Sequence, residues 1–221
     1  MIDLHMHTTW SDGALIPAEL VQRAKVKGLR AMAVTDHVDH SNVDLVVPAI
    51  ARFCEKMKKL VDITVLPGLE LTHVPPAGIA ELMRRARRLG AKLVVVHGES
   101  PVEPVPEGTN RAAIEAGVDL LAHPGLIEEA DVKLAAKKGV ALEITSRKGH
   151  SLGNGLVALL GKRHGAPLIL NTDTHSPGDL IDLEFARTVA LGAGLSEADF
   201  KAMIASSEKL VKKAMRRGAK R

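Results

Sequence analysis

The sequence predicts an α/β fold in which parallel strands are covered by helices, and three observations carry that reading. Short apolar runs alternate with helical patterns from end to end, glycines stand where several helices should stop, and every strand candidate ends in a histidine or a carboxylate.

The strand candidates are residues 2–7 (IDLHMH), 30–37 (RAMAVTDH), 63–71 (ITVLPGLEL), 92–99 (KLVVVHGE), 119–124 (DLLAHP), 140–146 (VALEITS) and 167–175 (PLILNTDTH). Several are continuous apolar runs, as strands buried on both faces are. Helices are expected near 17–28, 45–61, 77–89, 110–117, 128–138, 153–164 and 179–192, with a last one near 196–216. That is seven β-then-α units and an extra C-terminal helix. Gly28, Gly90, Gly117, Gly139 and Gly165 stand between a helix and the next strand, where a left-handed backbone closes the helix. A closed barrel and an open doubly wound sheet both satisfy this order.

The polar residues decide between them. His5 and His7 close the first strand, Asp36 and His37 the second, Glu70 the third, His97 the fourth, His123 the fifth, Glu143 the sixth, and Asp173 with His175 the seventh. Active sites of parallel barrels lie at the C-terminal ends of the strands, so a barrel delivers all of these groups to one mouth. An open sheet would scatter them along a line. Alternate residues of a strand share a face, so the pairs His5/His7 and Asp173/His175 can each point inward together. Imidazole and carboxylate without thiolate are the donors of an open catalytic metal site. Any one of these histidines alone reads as a hydrogen-bonded core residue. Ten such groups at seven strand ends do not, because burying each unpaired costs about 1 to 3 kcal/mol.

With 221 residues and 46% apolar content the chain suits one globular domain over 1–221. No apolar run reaches the roughly 18 residues of a membrane span, and the chemically loaded start leaves no place for a signal peptide, so a cytoplasmic location is expected. Cys54, the sole cysteine, reads as an inert core thiol. The net charge of +4 is local: seven Lys/Arg and no acid lie between Lys209 and Arg221, and the remaining 23 basic residues are outnumbered by 26 acidic ones. This basic stretch is expected to be a frayed, solvated helix end rather than an RNA-contacting arm. With no Tyr, one Trp and three Phe, base-stacking platforms have little to be built from.

The ordered segments IDLHMHTTWSDG, VTDH, PGLE, VHGE, LAHP and NTDTH resemble the polymerase and histidinol phosphatase (PHP) domain family, over nearly the whole chain. The resemblance implies a distorted seven-stranded (β/α)7 barrel and two or three divalent ions, commonly zinc, manganese or iron. It further implies that His5, His7, Glu70 and Asp173 hold a first ion, that Glu70 bridges to a second completed by His97 and His123, and that Asp12, His37 and His175 hold a third. The implied activity is phosphoester hydrolysis, with Glu70 and Asp173 holding a metal-bridging hydroxide as nucleophile.

Arg147, Lys148 and His150 lie on the loop after the sixth strand, which faces the mouth, and are expected to contact a substrate phosphate. Glu143 is expected to orient a histidine or Arg147 rather than to bind metal. His40 is a further candidate substrate contact, as is His73, although a surface loop histidine is the simpler reading of both. The three prolines between Glu99 and Gly108 should stiffen a loop beside His97. The expected substrate is a small phosphomonoester such as histidinol phosphate, a nucleotide or a related metabolite. A nuclease acting on short nucleic acids, and an RNA-binding scaffold like those of ribonuclease P, are the alternatives. The acidic body disfavours a long polyanion, and the sequence says nothing of oligomeric state.

Overall fold

Alternation along each strand, rather than hydrophobicity alone, organises the molecule, whose computed structural model describes residues 1–217. The strands are β1 (Ile2–Asp3), β2 (Ala31–Val34), β3 (His37–Val38), β4 (Thr64–Leu71), β5 (Leu93–His97), β6 (Leu120–Ala122), β7 (Ala141–Thr145) and β8 (Leu168–Asn171). They form one parallel sheet in the order β1-β2-β4-β5-β6-β7-β8, with β3 also paired to β4. Because β2 and β3 are two pieces of one interrupted run, the eight segments fill seven positions of a nearly closed barrel. Helices α1 (Pro17–Val26), α2 (Val43–Met57), α3 (Pro76–Arg88), α4 (Thr109–Ala116), α5 (Glu129–Lys138), α6 (Asn154–His164), α7 (Leu183–Gly192) and α8 (Glu197–Arg216) complete the fold.

Along β5, Leu93 and Val95 belong to the small cluster inside the barrel, while Val94 and Val96 join the larger layer beneath the helices. The same two-residue period places Leu66, Ala141 and Ile169 inside. Continued upward, it aims His97, Glu70, Glu143 and Asp173 at the mouth. The barrel interior is therefore apolar at its lower end and chemical at its upper end, and a one-residue slip of any strand would reverse this.

The seam between β8 and β1 is closed by other means than a regular ladder. His7 N donates to Thr174 O (2.8 Å), whereas Leu4 N donates to Asn171 Oδ1 (2.8 Å); on the β2 side of the same segment Met6 N donates to Thr35 Oγ1 (2.9 Å). Side-chain acceptors thus replace backbone partners, which is why the expected strand over 2–7 is regular only at Ile2–Asp3. The expected helix over 179–192 is also shorter. The Asp179 carboxylate caps the turn Pro177–Asp179, and α7 starts afresh behind Asp182, which accepts from Phe185 N (2.8 Å).

The basic C-terminal stretch departs from the expected solvated end. Leu210, Val211 and Ala214 of α8 are buried in the interior cluster and stop the lower end of the barrel. Lys213 (3.2 Å) and Arg217 (2.7 Å), with Arg87, converge on the buried carboxylate of Asp119 below β6. Residues 218–221 of that stretch lie outside the described residues. Cys54 is buried, and burial pushes its thiol up to about 12, so it stays protonated and inert.

Candidate metal centre

Several ligand-type histidines at the mouth, His5, His97 and His175, are oriented by a hydrogen bond on the far side of the ring. Glu143 Oε1 accepts from His5 Nδ1 (2.9 Å), and its Oε2 accepts from His123 N (3.0 Å), the orienting role expected for it. His175 Nδ1 donates to the Asp173 carbonyl (2.9 Å), and His97 Nδ1 to the Gly98 carbonyl (3.1 Å). A ring nitrogen facing a carbonyl or carboxylate must carry the proton, so in the neutral imidazole Nε2 is left with its lone pair.

Those Nε2 atoms face carboxylate oxygens. His5 Nε2 is 3.2 Å from Glu70 Oε1, His7 Nε2 is 3.1 Å from Asp173 Oδ1, and His37 and His175 Nε2 are 3.4 and 3.3 Å from the two oxygens of Asp12. Two lone pairs at such range repel unless a proton or a metal cation lies between them. Two neighbouring ligands of one ion, with bonds of about 2.1 Å, are themselves about 3.0 to 3.4 Å apart. The observed spacings fall in that interval.

The accounting of buried polar atoms agrees. His5 Nε2, both ring nitrogens of His7, both oxygens of Glu70, His123 Nδ1 and Asp173 Oδ1 are buried without a hydrogen-bond partner. Burial would lower the His5 imidazole, but Glu70, Glu143 and Asp173 together hold it well above its usual range. Burial keeps His7 and His123 well below theirs, hence neutral and able to ligate, and pushes Asp173 up to about 7. So concentrated a set of unpartnered groups fits a cluster of divalent ions. His5, His7 and Glu70, His5, His123 and Asp173, and His7, Asp12, His37 and His175 each bring their ligand atoms close enough for one ion. Adding Mn²⁺ or Zn²⁺ to EDTA-stripped protein should therefore raise Tm by about 5 to 10 °C at a hundredfold excess over Kd. An unchanged Tm in a thermal melt would count against metal binding.

Three non-glycine residues among those described have a left-handed backbone: His73 (φ 52°), His123 (φ 24°) and Asp173 (φ 54°). Two of them are expected ligands, and all three sit at the mouth, where backbone strain tends to collect.

The predicted substrate contacts divide. Arg147 lines the mouth, with Nε 3.3 Å from Asp173 Oδ2 and Nη1 3.5 Å from Asp179 Oδ2. His150 is buried there and forms with His97 and His123 another set close enough for one ion, so it stands deeper than a rim contact. Lys148 is exposed and does not line the cavity, because Gly149 (φ 83°) turns the chain between it and His150. His40 also points elsewhere: its Nε2 lies 3.9 Å from Glu81 Oε2 on α3. Two contributors had no role assigned from the sequence: Asp36, named only as a strand-end carboxylate, and Glu103. Asp36 accepts from Thr8 N (2.7 Å), Thr8 Oγ1 (2.8 Å) and Ser11 Oγ (2.9 Å), fixing the loop that presents Asp12. Glu103, from the proline-rich loop, reaches His73, His97 and His150. The position of Asp36 at a strand end was a signal for the first; for the second the sequence marked the proline-stiffened loop beside His97 but not the acid on it.

The family description of the PHP domain matches residues 3–95. An uncharacterized protein of Methanocaldococcus jannaschii is 49% identical over 199 residues, covering 89% of this chain and 91% of that protein. A probable phosphatase of Shewanella piezotolerans is 30% identical over 209 residues, covering 84% and 82%. A chain from a structure of archaeal ribonuclease P with mature tRNA aligns with a TM-score of 0.67 over 97% of this chain and 91% of that one, at 17% identity, a likeness of fold alone. With these relatives and the mouth just described, the chain belongs to the PHP domain family.

Proposed function

We propose that the chain is a metal-dependent phosphatase acting on a small phosphomonoester, with His5, His7, Asp12, His37, Glu70, His97, His123, Asp173 and His175 as the metal-binding set. One observation carries the reading: unpartnered imidazole and carboxylate donors converge below a cavity of about 470 Å³ that has a guanidinium, Arg147, on its wall. The size suits a metabolite. The probable phosphatase of Shewanella piezotolerans supports the same reaction. When bound, divalent ions supply charge stabilisation for a phosphoryl group and lower the pKa of water.

The chain's own residues do the positioning. Glu143 fixes the His5 tautomer, Asp36 holds the Asp12 loop, and Asp173 with Asp179 sets the plane of Arg147. A guanidinium so held can grip two phosphoryl oxygens at once. The same lining carries the carboxylates of Asp12, Asp39, Glu103 and Asp173, which favours a compact monoester over a polyanionic strand.

The test is hydrolysis of p-nitrophenyl phosphate by EDTA-stripped protein with Mn²⁺ or Zn²⁺ restored, followed by a screen of phosphorylated metabolites, histidinol phosphate and nucleotides included. Absence of metal-stimulated turnover on every monoester would overturn the proposal. Arg147→Ala should raise KM about tenfold or more with a smaller change in kcat, the loss of a charge-assisted hydrogen bond. An unchanged KM would remove Arg147 from the phosphate site.

A further inference from the structure

The loop between β5 and α4 brings a carboxylate to the mouth that none of the strand ends supplies. Glu103 Oε2 lies 3.1 Å from His97 Nε2 and 3.3 Å from His73 Nε2, and its Oε1 lies 3.4 Å from His150 Nε2. His97 has committed Nδ1 to the Gly98 carbonyl, so Nε2 is the ring atom left to face Glu103 or an ion. The spacing again matches neighbouring ligands of one ion. His73, His97 and Glu103 bring their ligand atoms within reach of a single ion, as do His97, His123 and His150.

The placement is built in. Pro101, Pro104 and Pro106 restrict the loop backbone. Ser100 Oγ bonds His150 Nδ1 (2.6 Å), Glu99 N donates to Asn110 Oδ1 (3.0 Å), and Asn110 N donates back to Glu99 Oε1 (2.8 Å). Val102 lies against Gly149, where an added Cβ would come within 3.3 Å of it. Glu103 therefore reaches the histidines from a tethered segment. Unlike Glu70 and Asp173, whose side chains are 0% and 3% exposed, Glu103 is 38% exposed and faces the cavity.

We infer that Glu103 is a ligand of the ion at His97 that gives up its place to a phosphoryl oxygen when substrate binds. The inference rests on the metal-dependent reading above. Carboxylate and phosphoryl oxygens are both anionic oxygen donors, and a half-exposed side chain in the substrate cavity can swing out where the buried carboxylates cannot. With the mouth empty, Glu103 would hold the ion together with His97; with substrate bound, a phosphoryl oxygen would take its place.

The test uses the full EDTA-stripped chain and three variants: Glu103→Gln, Glu103→Ala and, as a control on the same loop, Glu107→Gln. Calorimetric titration with Zn²⁺, checked by metal analysis, should show one binding step weakened at least about tenfold in both Glu103 variants and unchanged in the control. Inorganic phosphate should bind the zinc-loaded Glu103 variants several-fold more tightly than the wild type, having no carboxylate to displace. Zinc affinity indifferent to Glu103 overturns the inference, and so does phosphate binding that is unchanged or weaker in the variants. Both expected results without any phosphoester turnover would refute the phosphatase reading and leave this one standing; metal-stimulated turnover with zinc affinity indifferent to Glu103 would do the reverse.

Discussion

Glu70→Gln is expected to lower metal-stimulated phosphoester turnover by about a thousandfold or more while the circular dichroism spectrum stays that of the wild type. Glu70 Oε1 faces His5 (3.2 Å) and His123 (3.7 Å), and Oε2 faces His37 (2.9 Å) and His7 (3.6 Å), so one side chain faces four histidines of the donor set. The amide keeps the volume but removes the charge and turns an N–H toward a cation. Losing several kcal/mol of metal-derived stabilisation corresponds to roughly three powers of ten in rate. Metal content should fall in parallel. Turnover within tenfold of wild type would remove Glu70 from the proposed metal-binding set.

The largest effect on stability is expected at the opposite end of the barrel. Asp119→Asn should cost about 3 kcal/mol and lower Tm by about 6 to 12 °C, because it leaves Arg87, Lys213 and Arg217 gathered around a buried neutral amide. The lower end of the usual range applies since the three cations are partly solvated. Burial alone would raise the Asp119 carboxyl, but Arg217 and Arg87 outweigh it and hold the group at about 2 against 3.8 for a free carboxyl. A depressed folded-state pKa means that stability is fully present above pH 3.8 and is lost as the pH falls through about 2. The wild type should thus lose about 2 kcal/mol more than the variant between pH 5 and pH 2. Urea denaturation of both proteins at the two pH values measures this; equal losses would show that Asp119 carries no such load.

The Asp119 cluster also shows where sequence reading stops. Lys213 and Arg217 sit among seven basic residues with no acid between them, a pattern that looks solvated. The acid they bind is 98 residues away from Arg217, and only the docking of α8 beneath the barrel brings it near. The segment SRKGHS poses the same problem over a shorter span. Arg147, Lys148 and His150 are equivalent as a string, and the turn at Gly149 decides that His150 goes inward and Lys148 outward. By contrast, all five glycines placed after helices have the left-handed backbone that their positions required, because a helix end is a local event. Glu103 was illegible for the opposite reason: its partners His73, His97 and His150 come from three other stretches of chain, and a single acid among prolines has no period to betray it.

By itself the sequence determined the alternation of strands and helices and the phase of each strand, since Leu93, Val95 and His97, or Leu66, Gly68 and Glu70, share a face by the two-residue period of the extended chain. That phase sends the ligand-type residues to one mouth. The tertiary structure decided which ring nitrogen carries the proton, which loop charges enter the mouth, and how the barrel is closed below. These depend on hydrogen bonds and ion pairs between residues far apart in the chain, such as His5 with Glu143 and Asp119 with Arg217, which exist only once the barrel has closed.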